Sequence, residues 1–486
     1  MKRYIYRPMI VTPFFPALRA QLAAQGQRVC QSLRQLDFPP LLQQLRQLLP
    51  QELLAGTDQG PNSRERIFSL RLTLECLLWQ MLKPRTACRE VVRAVQALFQ
   101  SQGQGQVDEG TAAYVQARQR LPKERLDKAL AHTAHTADQR VGQQGQLNGR
   151  PVKVADCSTT QAPDTEPNQQ RYPQPSSQKP GCGFPLIKFL VLFSLSSGAI
   201  LRVALGHWRN HDLRLLHGLW EALEKGDILL GDRAYGEYLT LAALPAQGVD
   251  VVARMHGGRH VDYRKSIKRL GRHDALFQWD KGSQPSEILS AQQWEQVPAH
   301  ITVRILRFDA VIRRRKKRVI LVTTLLDPVL YPAHQLIGLY ARRWHLELAL
   351  RHLKTTMGME VLRCQSPDMA EKELLAYLVA YNMIRCLMAQ AVAQAGVQMD
   401  RLSFKGTVDA VRQFTPAIHK ARGKVQRGHI CQELLRTIIR DLVPLRPNRQ
   451  EPRAVKRRPK AYQLLNKPRH QFREVSHRCR YHKKKG

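Results

Sequence analysis

The stretch that most narrows the choice of fold runs from Arg150 to Arg254, where short apolar runs replace helical periodicity. Pro151–Ala155 reads as a strand ending on Asp156, and a polar segment rich in Thr, Gln, Pro and Ser then continues to Gly183 as a long loop. Phe184–Ser194 and Ala199–Gly206 read as strands joined across Ser196-Ser197-Gly198, a hairpin signal. Leu213–Glu224 has the pattern of an amphipathic helix, Asp227–Leu230 of an apolar strand, Leu239–Leu244 of a helix and Val249–Arg254 of a strand. Three antiparallel strands followed by helix, strand, helix and strand predict a mixed sheet covered by helices. Asp156 and Asp232 then fall just past the carboxyl ends of two strands, where α/β folds place their sites.

The flanks read differently. Residues 1–148 are helical in pattern, with a core helix at Leu70–Leu82 and a second at Cys88–Phe99 carrying Val91, Val95 and Leu98. Thr111 is placed to cap a third, which presents Tyr114, Arg118 and Arg120 before Pro122 stops it. Beyond Arg254, β segments at Ile301–Phe308 and Val319–Thr324 flank the basic run Arg313–Arg318 at a hairpin. Glu371–Ala395 is a long apolar helix expected to pack under the sheet. The expected organisation is a helical amino-terminal DNA-binding domain (1–148), whose arginine-bearing faces suit duplex DNA although an oligomerisation or scaffold module reads equally well, and a ribonuclease-H-like α/β catalytic domain (149–445) interrupted by a β-rich insertion (about 255–325). A basic, disordered tail (446–486) follows.

Charge points to the partner. The chain has 77 Lys+Arg against 39 Asp+Glu, a net charge of +38, a field that a polyanion such as nucleic acid would neutralise. The segment from Arg446 to Gly486 alone holds fifteen Lys+Arg and two acids. No uninterrupted run of about 18 apolar residues suggests a membrane span, and the amino end carries no secretory pattern. Nine scattered cysteines without a CxxC pair support neither a disulfide framework nor a zinc site, as expected of a reduced, cytosolic chain.

The stretch from Gln335 to Glu360 reads as a helix at the edge of a buried face. At about 100° per residue, Tyr340, Arg343, Glu347 and Lys354 lie within roughly 60° of one another, beside an apolar stripe of Leu339, Leu346, Leu350, Leu353 and Met357. One carboxylate is thus bracketed by a phenol and two cations, which suits a metal ligand flanked by phosphate-holding groups. A plain Arg343–Glu347 surface pair is the simpler account of any two of them. Asp156, Asp232 and Glu347 together supply hard oxygen ligands for two Mg²⁺ ions, the arrangement for in-line displacement at phosphorus. Singly, each aspartate is equally well a turn or helix cap.

The spacing Tyr340-x2-Arg343-x3-Glu347-x6-Lys354 resembles, gap for gap, the Y-R-E-K signature of bacterial DDE transposases of the insertion-sequence-4 family. Asp156, followed by small hydroxyl residues, is similar to that family's first catalytic aspartate, and Asp232-Arg233-Ala234-Tyr235 to the block around its second. Cys157 departs from the Gly or Ser common after the first aspartate, and would leave a thiol beside the metals. The resemblance covers about residues 60–400. It implies cut-and-paste transposition in the bacterial cytoplasm and nucleoid: Mg²⁺ (or Mn²⁺) dependent hydrolysis at terminal inverted repeats of double-stranded DNA, then joining of the 3′-OH to target DNA, in a synaptic dimer. Asp156, Asp232 and Glu347 would be the catalytic metal ligands, and Tyr340, Arg343, Lys354 and Arg233 would contact DNA. Related enzymes flip a base onto an aromatic of the insertion, where Trp279 and Trp294 lie, although a buried tryptophan is the expectation for both. Two other readings are a nuclease of the same fold that cuts without joining, and an inactive DNA-binding descendant.

Overall fold

The computed structural model describes residues 48–54, 67–84, 86–101, 103, 106–282, 288–312, 315–444 and 465–472. Most of the basic tail, and the turn of the Arg313–Arg318 hairpin, fall outside the described residues.

The helices are α1 (Gln51–Leu54), α2 (Leu70–Leu82), α3 (Cys88–Ser101), α4 (Ala112–Arg120), α5 (Lys123–Val141), α6 (Glu166–Arg171), α7 (Asp212–His217), α8 (Tyr238–Ala246), α9 (Ala291–Glu295), α10 (Ala333–Arg342), α11 (Trp344–Arg351), α12 (Pro367–Ala395), α13 (Phe404–Lys420) and α14 (Gly423–Arg440). The strands are β1 (Val152–Gln161), β2 (Leu186–Ser194), β3 (Ile200–His207), β4 (Ile228–Gly231), β5 (Asp250–Arg254), β6 (Lys268–Gly271), β7 (Asp274–Asp280), β8 (His300–Ile312) and β9 (Arg315–Thr323). All nine join one sheet in the order β3-β2-β1-β4-β5-β9-β8-β7-β6. β1, β4 and β5 are mutually parallel, and every other pairing is antiparallel. The β-rich insertion therefore extends the central sheet through β9.

Alternation along the strands divides the interior into two clusters. Val152, Val154, Ile228, Leu230, Val252, Leu306 and Leu321 face α10, α11 and α12 in the larger one, which also takes in Leu74, Leu77 and Leu78 of α2 and Leu126 and Leu130 of α5. Ala155, Leu229, Val251, Ala253 and Ile305 face α7 and α8 in the second. α12 starts with Pro367 in its first turn and ends at Gly396, whose φ of 65° closes the helix in the left-handed region. Its length and mean hydropathy of 1.3 would suit a membrane span, but 89% of that window is buried inside the protein. Asn382 fixes it in place: fully buried, its side chain accepts from Ile200 N (2.8 Å) and donates to Ile200 O (2.8 Å) and Leu130 O (3.2 Å). One amide thus joins α12 to β3 and α5. The helix packs under the sheet as expected, and against the amino-terminal helices as well.

Apart from the helix that carries Glu347, three elements differ from their sequence reading. β1 continues five residues past Asp156, because Cys157–Gln161 pairs with Leu186–Leu190 of β2, and Thr160 is anchored by donating to Met359 O (2.6 Å). Part of the expected long loop is the short helix α6. The single helix read over Leu213–Glu224 is α7 followed by a 3-10 turn at Trp220–Ala222, since the chain bends after Gly218 to bury Leu219, Trp220 and Leu223 in the second cluster.

Candidate active site

Asp156 faces the α11 side because it shares the parity of Val152 and Val154 on β1. The parallel pairing of β1 with β4 is recorded only over Val152–Val154, so Asp156 lies where those two strands part. Asp232 follows β4 directly and caps a 3-10 turn, its Oδ1 accepting from Ala234 N at 2.8 Å. The capping account of Asp232 is therefore correct for one oxygen, and the second oxygen is left for other work. Asp156 Oδ1 accepts from the adjacent Cys157 N at 3.0 Å.

Glu347 comes from a helix less regular than its sequence suggests. α10 ends at Arg342, α11 begins at Trp344, and His352–Thr356 forms a π turn. Such turns insert an extra residue into the helical ladder and recur at functional sites. Here it carries Lys354, and His352 within it stacks on Phe404 of α13 with ring centroids 4.9 Å apart. Despite the break, the side-chain row survives at its centre. Arg343 Nη2 donates to Glu347 Oε1 at 3.3 Å, and its guanidinium lies 5.9 Å from the Tyr340 ring centroid.

A cleft of about 440 Å³ opens between β1 and this helix, lined by Asp156, Ser158, Glu347, Arg351, Lys354 and Glu360 among others. Asp232 does not line it but is electrostatically coupled to it. Burial pushes the Asp156 carboxyl up to about 6; Arg343 and the Cys157 amide pull it back, while Asp232 and Glu347 push it further up. Burial would lower the Arg343 pKa, yet Tyr340, Asp156, Glu347 and Asp232 together hold it above its ordinary value. Asp156, Asp232 and Glu347 thus all act electrostatically on one half-buried guanidinium. Burial lowers the Lys354 pKa, against the pull of Glu360 and Cys157. Arg233 is exposed beside the Gly257 loop, and Tyr340 stands beside Arg343 rather than in the cleft.

The donor set is right for a hard divalent cation: carboxylates from three elements, with a repulsion that a dication would relieve. Among the described residues, however, no three acidic, His or Cys side chains stand close enough to hold an ion as they are placed. Arg343 instead pairs with Glu347, the one acid of the three within ion-pair distance of it among the described residues. Cys157 also lines the cleft; burial and then Asp212 push its pKa up to about 12, and the residue is partly buried against the second core cluster. Arg351 and Glu360 are cleft residues that the sequence reading passed over. Arg351 had a usable signal, its i+4 spacing from Glu347. Glu360 had none, since a turn brings it back. The two insertion tryptophans are not buried as expected. Each is partly exposed beneath a cation, Arg259 at 4.1 Å from Trp279 and Lys281 at 5.0 Å from Trp294. They sit toward the outer strands of the sheet.

The family described as Transposase DDE domain matches residues 147–383, which span both aspartates, the insertion, the Tyr-Arg-Glu-Lys helix and most of α12. The transposase InsG of insertion sequence element IS4 from Escherichia coli (strain K12) is 25% identical over 412 residues, covering 82% of this chain and 88% of that protein. A probable transposase of insertion sequence element IS5377 from Geobacillus stearothermophilus is 26% identical over 177 residues, 36% of this chain and 44% of that one. Among solved structures, a piggyBac transposase synaptic complex with hairpin DNA aligns over 87% of this chain and 84% of that one, at 9% identity and a TM-score of 0.41. With the family match spanning both aspartates and Glu347, and the IS4 likeness extending over most of both chains, the protein is a DDE transposase similar to that of insertion sequence element IS4.

Proposed function

We propose that Asp156, Asp232 and Glu347 are the catalytic carboxylates of a cut-and-paste reaction on terminal inverted repeats, and that residues 149–445 form a ribonuclease-H-like catalytic domain. The strand order β3-β2-β1-β4-β5, with β1, β4 and β5 parallel, supports the fold reading. The observation that carries the site reading is that Asp156 of β1 and Glu347 of α11 line one cleft, with Asp232 at the end of β4 electrostatically coupled to both Asp156 and Arg343. Together they would hold Mg²⁺, two ions in the full site or Mn²⁺ in its place, which when bound supplies Lewis-acid activation of the attacking oxygen and stabilises the leaving one.

The chain's own residues do the rest. Arg343 leaves Glu347 for a DNA phosphate when the carboxylates turn to their ligand role, while Lys354, Tyr340 and Arg233 grip neighbouring phosphates. From Tyr340 to Lys354 the helix rises about 21 Å, which spans several phosphates rather than one coordination shell. The amino-terminal helices and the basic tail add contacts to duplex DNA, and joining two ends calls for a dimer in the nucleoid. The test uses purified protein, a labelled terminal-repeat duplex, Mg²⁺ and a supercoiled target. Strand-transfer product from wild type, absent with Glu347→Gln, supports the reading. Cutting without any joined product replaces it with the nuclease.

A further inference from the structure

Where α2, α3 and α4 meet the segment between the π turn and α12, a guanidinium is enclosed with thiols, not acids, on its terminal nitrogens. Arg118 of α4 is only 6% exposed. Its Nη1 donates to Cys88 Sγ at 3.4 Å and its Nη2 to Cys364 Sγ at 3.0 Å, while the buried Nε has no hydrogen-bond partner. A thiol is a weak acceptor, and an enclosed cation is costly unless it is paired. Tyr114 offers it only a ring, 5.7 Å away, because the Tyr114 hydroxyl is spent on Gln80 Oε1 at 3.1 Å. Glu373 stands behind one of the thiols. Its Oε2 accepts from Arg363 N at 2.9 Å and Cys364 N at 3.0 Å, and the Cys364 thiol hydrogen-bonds to the same carboxylate.

The two thiols have different surroundings. Burial and then Glu373 push the Cys364 pKa well above its ordinary value, against the pull of Arg118, so Cys364 keeps its proton beside a carboxylate that can take it. Cys88 is the first residue of α3, partly exposed and next to the cation, the accessible and electropositive kind of place where thiols react. Both sulfurs sit on one guanidinium fork, so they are at most about 9 Å apart. Neither cysteine lies inside a strand or in mid-helix: Cys364 stands between the bridge at Val361 and the start of α12. With Arg118 swung aside, the start of α3 and this segment have that gap to close for a sulfur–sulfur bond.

We propose that Cys88 and Cys364 are an oxidisable pair that takes hydrogen peroxide as its oxidant, with Cys88 as the attacking thiol and Cys364 as the resolving one. Cys88 Sγ bonds to one peroxide oxygen, the O–O bond breaks, and the departing hydroxide leaves as water with the thiol proton. The sulfenic oxygen gives Arg118 Nη1 a hard acceptor in place of sulfur. Cys364 Sγ then attacks Cys88 Sγ while Glu373 takes its proton. The S–O bond breaks, and the hydroxide that leaves takes that proton from Glu373 and departs as water. The two sulfurs together lose two electrons, which the peroxide gains, and a thiol reductant reverses the bond by exchange. The link fastens α3 to the segment whose Glu360 O accepts from Gln161 N at 3.1 Å, at the end of the strand that carries Asp156.

The test is mass spectrometry of the full chain after brief treatment with hydrogen peroxide, alkylation of the remaining thiols and digestion without reductant. Wild type should yield a linked Cys88–Cys364 peptide that dithiothreitol abolishes. In Cys364→Ser, which cannot resolve the intermediate, dimedone present during oxidation should label Cys88 at least about fivefold faster than Cys182, a partly exposed thiol outside this cluster. Cys88→Ser should give no linked peptide and leave Cys364 reduced at the same dose. Wild type that forms no Cys88–Cys364 link overturns the proposal, and this readout does not depend on either variant folding. Labelling of Cys88 no faster than of Cys182, or oxidation of Cys364 in Cys88→Ser, overturns it as well.

Discussion

The two halves of the single sheet are built on opposite terms. In the half made of β3, β2, β1, β4 and β5, apolar residues cover both faces, and the polar groups that matter are acids gathered where β1 and β4 part. In the half made of β9, β8, β7 and β6, β9 and β8 are covered likewise, but the outermost strand is almost wholly exposed, and a cleft there has Arg272, Arg304 and Arg307 among its walls. Carboxylates at close quarters are costly and stay only where rigid, covered strands force them together. Cations for a polyanion need access instead, and an edge supplies it. On the proposed reading, chemistry belongs to the buried half.

Substitutions that break the acidic half should have the largest effect. Asp156→Asn, Asp232→Asn and Glu347→Gln should each lower the cleavage rate about 10³-fold or more while Kd for a terminal-repeat duplex stays close to wild type. Equal loss of binding and cleavage in a gel-shift and cleavage pair would erase the division between the halves. Arg343→Ala sits between them, as Arg343 pairs with Glu347 and would then hold DNA. Its cleavage rate should fall about 10²-fold through lost positioning, with divalent-ion binding retained or tightened; weakened ion binding would contradict its place among the acids.

Stability sharpens the comparison. Asn382→Ala removes the amide that joins α12 to β3 and α5, and leaves Ile200 N and O without that partner, a cost of about 2 kcal/mol in denaturant unfolding. The amino-terminal helices share the larger core cluster with the sheet, so one transition is expected to shift; two separable transitions would mark residues 1–148 as independent. The smallest effect concerns His352. Burial, then Arg385 and Arg351, lower its pKa to about 4 against an ordinary 6.5. The unfolded chain takes the proton first, so the stability this group contributes is present above about 6.5 and is lost as pH falls toward 4. His352→Phe, which can keep the stack on Phe404, should flatten that part of the stability–pH curve, and an unchanged slope would remove the argument.

The legible parts of the sequence are those that local chemistry decides. Leu70–Leu82 is read to the residue, because an apolar run between Ser69 and Pro84 has one outcome. The acids and the Tyr-Arg-Glu-Lys row are visible through spacing, since i+3 and i+4 steps survive even where the helix breaks at Arg343. Long-range pairing decides what stays hidden. Cys157–Gln161 is polar and looks like loop until β2 is laid beside it. The π turn under Lys354 is held by Phe404, some fifty residues away in the chain.

The account rests on three carboxylates acting as one ligand set, and Mn²⁺ binding followed by electron paramagnetic resonance tests this most directly. With terminal-repeat DNA present, wild-type protein should quench the free-ion signal. Asp156→Asn, Asp232→Asn and Glu347→Gln should each weaken that binding at least about tenfold. A single variant of the three that binds Mn²⁺ as wild type does would contradict it.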